Sequence, residues 1–210
     1  MKISIVGMSN IGKTRWSNNI KKIGFRRIGC DDLIIKLLAS EIKFPHRLGR
    51  NFMAEWLGQP YDKRYAKNSR IYLNAERQVI EKYIYDIKNN LINEKDVVLD
   101  TTGSIVYLNK GILQSLRRCT TIVLLDTPDS IKKQMYCNYL KNPKPVIWGS
   151  SFKKRKGQTN KEAIRESYPK LLKYRNKIYT KYADVILDYS LIRRKDFDSR
   201  MFIKTCRKIH

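Results

Sequence analysis

Residues Gly7-Met8-Ser9-Asn10-Ile11-Gly12-Lys13-Thr14 fill every fixed position of the pattern G-x-x-x-x-G-K-S/T. That spacing serves phosphate chemistry. The glycines let the backbone curl until its N–H groups converge on phosphate oxygens, and a helix starting at once adds a partial positive charge. Lys13 would reach the β- and γ-phosphates and Thr14 Oγ would ligate Mg²⁺. Gly7 through Thr14, with Arg15 beside them, are the expected nucleotide-binding residues. The elements needed to hold such a loop are present. Lys2 to Val6 reads as a short buried strand, and Thr14 to Lys22 as a helix with Trp16, Ile20 and Ile23 at roughly helical spacing.

Acidic side chains recur where strands end. Phe25 to Ile28 reads as a second strand, after which Gly29-Cys30-Asp31-Asp32 leads into a helix carrying Leu33, Ile34, Leu37 and Leu38. In an open parallel sheet this junction lies on the ligand-binding edge. A carboxylate there would take a proton from an attacking hydroxyl or hold a metal-bound water; helix N-capping is the structural use of the same residues. Asp31 is the expected base, with Asp32 as the alternate. Asp96-Val97-Val98-Leu99-Asp100-Thr101-Thr102-Gly103 is a further apolar strand ending in an acid. Asp100 is placed to join Thr14 in the Mg²⁺ shell, and Thr102-Gly103 to meet an acceptor.

The rest of the chain alternates helix and strand. Arg50 to Leu57 reads as a short helix, following a loop with the lone internal histidine, His46. Asp62 to Leu91 reads as a long amphipathic helix with Tyr72, Ala75, Val79, Ile80, Tyr83 and Ile84 on its apolar face. Helices over 109–117, 128–140 and 162–181 flank strands over 120–125 and 184–188, and the tail offers a closing helix. This alternation predicts a parallel α/β sheet covered on both faces. Residues 142–160 hold prolines, glycines and the run Lys153-Lys154-Arg155-Lys156, and read as a mobile lid whose Arg155 neutralises charge as a phosphoryl group moves.

A length of 210 residues accommodates one domain with an inserted helical acceptor region about 42–68 and the lid. The four cysteines form no C-x-x-C pair, no apolar run reaches the length of a membrane span, and the N-terminus enters a strand directly. A cytoplasmic protein is expected. The net charge of +25 suits a nucleic-acid partner; it also suits AT-rich coding, since Ile, Asn and Tyr are abundant too.

The chain resembles the shikimate kinase-like branch of small P-loop kinases. The P-loop carries the resemblance, together with Cys30-Asp31-Asp32-Leu33-Ile34, Thr101-Thr102-Gly103-Ser104 and the run from Arg175 through Tyr179 to Ala183-Asp184. It implies a P-loop three-layer sandwich with five parallel strands in the order 2-3-1-4-5, a mobile lid, ATP with Mg²⁺, and Arg175 facing acceptor or nucleotide. The chain also departs from the family. The acids are adjacent where that family spaces them D-x-D. Leu73 stands where an arginine grips the acceptor carboxylate, and the segments 52–61 and 142–149 are foreign to the core family. The nucleotide half carries over and the acceptor specificity does not. Three functions follow as expectations: an ATP-dependent kinase of a small hydroxylated acceptor, a polynucleotide 5′-hydroxyl kinase, or a nucleotide-binding protein or ATPase with no acceptor.

Overall fold

A computed structural model describes the backbone of residues 1–41 and 49–207, and the side chains of these except 41 and 49–52. His46 and most of its loop lie outside the described residues. The order of elements is β1 Lys2–Val6, α1 Lys13–Lys21, β2 Arg26–Gly29, α2 Cys30–Glu41, α3 Gly49–Leu57, α4 Tyr65–Lys88, β3 Val97–Asp100, α5 Lys110–Cys119, β4 Thr121–Leu125, α6 Asp129–Lys141, α7 Asn160–Tyr182, β5 Val185–Leu187 and α8 Ser199–Arg207. The strands form one parallel sheet in the order β2-β3-β1-β4-β5. This is the α/β three-layer arrangement that the alternation and the resemblance predict.

Period-2 alternation divides each central strand between two cores. Val97 and Leu99 of β3, and Ile122 and Leu124 of β4, face the core built with α2, α4, α5 and α7. Val98 of β3, Val123 and Leu125 of β4, and Ile3 and Ile5 of β1 face the other core, built with α1 and α8. There Trp16 packs 5.1 Å from Phe202 and 5.5 Å from Phe197, ring centre to ring centre, so the closing helix is a structural part of the sheet's second face. Burying a side chain such as Phe202 stabilises the fold by roughly 2 kcal/mol.

The helices differ from the sequence reading at their ends. Helix α1 stops at Lys21, because Gly24 at φ 101° turns the chain away. Ile23 therefore lies past the helix and is exposed. Helix α4 is shorter than Asp62 to Leu91, yet Tyr72, Ala75, Ile80, Tyr83 and Ile84 are buried as its periodicity requires. Thr159 opens α7 with a reciprocal capping box to Glu162.

Strand β1 lies between β3 and β4, and its C-terminal end is the switch point of the sheet. Register pairs Ile5 with Asp100 and Gly29 with Asp100. The P-loop, the first turn of α2 and the turn after β3 therefore emerge side by side on one edge.

Candidate functional site

The loop from Gly7 to Gly12 is shaped by backbone that side chains resist. Gly7 has φ 148°, and a Cβ there would stand 3.0 Å from the Leu125 carbonyl oxygen. Gly12 has φ 116° at the N-cap of α1. Lys13 is buried, and its Nζ donates to the carbonyls of Gly7 at 3.0 Å and Met8 at 2.9 Å. Burial pushes its pKa down to about 8; Asp100 and Asp31 work against that shift, and Arg175 adds to it. A phosphate placed on Lys13 would favour its charged form and oppose that shift. Arg15 points outward, over the Trp16 ring.

A cavity of about 820 Å³ runs from this loop across the sheet edge. Lys13, Thr14, Asp31, Thr102, Gly103 and Arg175 all line it, so residues far apart in sequence share one space. Asp31 is half-buried in the first turn of α2. Asp32 is exposed, lies outside the cavity wall and pairs with Arg27 at 3.5 Å. Asp100 lies behind the wall, its buried carboxylate taking a hydrogen bond from Arg27 Nη2 at 2.6 Å. Arg27 Nε in turn donates to Ser17 Oγ at 2.9 Å. Arg155 is exposed and ion-paired to Glu166 at 3.0 Å, outside the cavity wall.

The turn after β3 is held from several directions. Thr101 Oγ1 donates to the Ile5 carbonyl at 2.7 Å. Thr102 Oγ1 donates to the Glu76 carboxylate and shares a 3.0 Å hydrogen bond with Ser104 Oγ. Glu76 is buried in α4, and its other carboxylate oxygen has no hydrogen-bond partner. Burial pushes its pKa up to about 7, against the Thr102 and Ser104 hydroxyls that lower it. From α7, Tyr179 OH donates to the Gly103 carbonyl at 2.7 Å.

Arg175 lies one helical turn before Tyr179. It is 4 % exposed, and its Nε has no hydrogen-bond partner. Nη2 donates to the Ile147 carbonyl at 2.7 Å, and the guanidinium lies over Tyr107 at 5.6 Å. Among the described residues no carboxylate lies within ion-pair distance of it.

The segment expected as a lid divides in two. Residues 142–159 lack regular structure, as the prolines and glycines predict. Its first part nevertheless belongs to the core: Ile147 and Trp148 are buried. Tyr65 OH donates to the Val146 carbonyl at 3.0 Å and accepts from the Trp148 N–H at 2.8 Å, while Tyr107 OH donates to the Trp148 carbonyl at 3.1 Å. Aromatic contacts with Tyr139, Phe152 and Tyr168 complete the anchorage. Residues 146–148, within the segment expected as a lid, are therefore anchored in the core. The stretch from Lys153 to Gly157 is exposed throughout, as is the start of the segment from Asn142 to Lys144.

Several site residues escape the sequence reading. Tyr189 and Arg193 follow β5, with the guanidinium 5.0 Å from the ring centre, and both line the cavity, as does Gln134. No motif marks them. Nor does any local pattern single out Arg27, whose partner Asp100 lies on the neighbouring strand.

Among the described residues no group of three or more His, Cys, Asp or Glu could by itself hold a metal ion. Mg²⁺ at a phosphate site needs only one or two protein ligands beside phosphate and water. Thr14 and Asp31 line the cavity and fit that requirement; Asp100 stands one layer back, engaged by Arg27. Among the described residues no helix is long and apolar enough to cross a membrane.

No protein-family model matches the sequence, and no curated protein matches it. Solved structures do resemble the fold. Shikimate kinase from Aquifex aeolicus superposes with a TM-score of 0.59 at 14% identity, covering 99% of this chain and 96% of that one. The enzyme from Bacteroides thetaiotaomicron gives 0.55 at 13% identity, covering 100% and 96%. Shikimate kinase from Acinetobacter baumannii, solved in complex with shikimate, gives 0.52 at 17% identity, covering 99% and 89%. With the sheet order and the phosphate loop in hand, these similarities show that the chain has the fold of the shikimate kinases.

Proposed function

We propose that the chain is an ATP-dependent kinase that transfers the γ-phosphoryl group to a small hydroxylated acceptor. The observation carrying this reading is the single cavity that joins Lys13 and Thr14 to Asp31 and to the Gly103–Arg175 contact. One end suits a nucleotide. The P-loop takes the phosphates, and the base reaches toward Tyr189 and Arg193, where stacking on a guanidinium or a ring is favourable. The other end suits an acceptor with an anionic group, because a buried arginine without a carboxylate is costly unless an anion arrives.

Asp31 takes the proton of the attacking hydroxyl, and Lys13 holds charge on the transferring group. Mg²⁺ would sit against Thr14 and the phosphates, with Asp31 or Asp100 reaching it directly or through water, and would supply charge neutralisation. Arg155 acts after the exposed part of the loop closes. Thr102 has its hydroxyl turned inward to Glu76, so it shapes the acceptor turn and leaves Gly103 and Arg175 to meet the acceptor. The whole chain works as one unit, with α3 and the start of α4 forming the acceptor side.

A polynucleotide 5′-hydroxyl kinase is the second reading, favoured by the +25 net charge and the exposed run Lys153 to Lys156. The test is transfer from labelled ATP to a panel of small hydroxy compounds and 5′-hydroxyl oligonucleotides, with Asp31→Asn as control. A fall of at least roughly 10²-fold in transfer with ATP affinity kept is expected. Full activity in both Asp31→Asn and Asp32→Asn would remove the catalytic-acid assignment.

A further inference from the structure

We infer that the exposed ridge of helix α7 is a docking surface for single-stranded nucleic acid, separate from the cavity and independent of the kinase reading. Lys170, Lys173, Tyr174, Lys177 and Lys181 are all exposed and recur at helical spacing, so they fall on one face of α7. From Lys170 to Lys181 the ridge is roughly 16 Å long. None of these residues lines the cavity.

The ridge carries no compensating charge. From Ser167 to Ala183 the sequence holds no acid. The acids that bracket this run are already engaged, Glu166 with Arg155 at 3.0 Å and Asp184 with Arg117 at 2.7 Å. Among the described residues none of these lysines is in an ion pair. A lysine-rich composition does not by itself produce this pattern. On α4, the other long helix, Arg77 faces Glu81 at 3.6 Å and Lys82 faces Asp86 at 2.8 Å. Like charges one turn apart destabilise a helix, and a polyanion laid along the ridge relieves that repulsion.

The ring within the ridge selects the kind of polyanion. Tyr174 is 38 % exposed and stacks on Tyr107 with ring centres 5.5 Å apart and planes 12° apart, so it is held as a platform. An unpaired base stacks on such a ring, whereas a duplex keeps its bases within its own stack. A lipid surface asks for an exposed apolar stripe beside the cations, and here Leu171, Leu172, Tyr179 and Tyr182 are turned into the core. The run Lys153 to Lys156 extends the basic surface, since Arg155 reaches Glu166, one turn before Lys170.

The experiment titrates the full chain into a labelled oligothymidylate of about 16 nucleotides, and into its duplex with oligoadenylate, following anisotropy over a range of salt. The single strand is expected to bind at least about tenfold tighter than the duplex. Replacing Lys170, Lys173, Lys177 and Lys181 by glutamine is expected to weaken binding at least about tenfold and to flatten the salt slope by about 0.7 for each lysine lost, with circular dichroism unchanged. Tyr174→Ala is expected to weaken binding about tenfold with the slope kept, and Tyr174→Phe to retain parental binding. A control in which Lys21, Lys67, Lys88 and Lys95 become glutamine removes the same charge from α1, α4 and the approach to β3. Salt screens charges at such distant sites, so this control is expected to bind close to the parent. Equal loss in the two quadruple variants reduces the effect to net charge and overturns the inference. So do a preference for duplex with Tyr174→Ala unaffected, equal competition by polyglutamate, stronger binding to phosphatidylserine vesicles, and absence of oligonucleotide binding at low salt.

Discussion

Arg175 and Gly103 meet at a distance that leaves no room for a side chain. A Cβ on Gly103 would stand 2.9 Å from Arg175 Nη1 and 3.0 Å from Ser9 Oγ of the P-loop. The glycine is thus the spacer between the phosphate loop and the buried guanidinium, and Tyr179 fixes it by its carbonyl. Gly103→Ala is expected to push Arg175 out of place at a cost of roughly 1–3 kcal/mol. The acceptor KM should rise about tenfold, since 1.4 kcal/mol is a factor of ten, while ATP affinity changes less. Steady-state kinetics at varied acceptor and at varied ATP separate the two effects; equal loss on both substrates would show that Ser9, not Arg175, takes the strain.

Lys13 gives a pH signature before any acceptor is known. Its folded pKa of about 8 lies below the ordinary 10.5, chiefly through burial. The folded chain therefore holds fewer protons than the unfolded one between those values, and stability rises with pH across that window. The contribution is present above pH 10.5 and is lost as pH falls through about 8. Lys13→Met should raise Tm at pH 7 by relieving a penalty of at most roughly 3 kcal/mol, while abolishing ATP binding. Phosphate favours the charged amine, so ATP binding at pH 9 should take up a proton. Calorimetry in buffers of different ionisation enthalpy reads that uptake directly, and zero uptake would place the phosphates away from Lys13.

Glu76 acts in the opposite sense and in a separate window. Its folded pKa of about 7 lies above the ordinary 4.5 because burial disfavours the carboxylate. Stability from this group is fully present below pH 4.5 and is lost as pH rises through about 7. Glu76→Gln keeps the shape and the hydrogen bond from Thr102 while removing the ionisation. It should be more stable than the parent at pH 7.5, by at most roughly 3 kcal/mol, with little difference at pH 5. Denaturant midpoints at the two values check this; a difference that does not change with pH would mean that Glu76 is charged throughout.

The elements most legible in sequence are those defined by local pattern. The P-loop announces itself through residues seven positions apart, and β1 and α1 follow from it. Strand alternation and the apolar face of α4 were readable for the same reason. Contacts between distant residues were not. Arg27 and Asp100 are 73 positions apart and pair only because β2 lies beside β3. Nothing near Asp100 warns that a guanidinium already occupies it. The seat of Trp148 is non-local in the same way: the prolines and glycines around it rule out helix and strand, while its indole enters a core that Tyr139, Phe152 and Tyr168 complete. Arg175 is singled out in the sequence by the family resemblance alone; its burial comes from the fold.

The exposed loop offers the test that separates a small acceptor from a nucleic acid. Trp148 and Ile147 are held in the core, whereas Lys153, Lys154, Arg155 and Lys156 project into solvent. The Arg155 guanidinium is held in an exposed pair with Glu166, which contributes little to stability. Closure over Mg-ATP should therefore move 153–157 and leave 146–148 in place. Hydrogen exchange should show new protection in the former alone, since backbone there lacks regular structure in the open form. A closed loop excludes water and limits wasteful hydrolysis. Replacing the four basic residues by alanine should lower transfer to a small acceptor by about tenfold or more, the scale of losing one electrostatic contact to the transferring group. Under the polynucleotide reading the same replacement chiefly weakens oligonucleotide binding and flattens its salt dependence, because each lysine or arginine lost releases fewer counterions. Normal transfer to a small acceptor, with oligonucleotide binding lost and protection at 153–157 unchanged by ATP, would reject the lid and assign these side chains to a nucleic-acid surface.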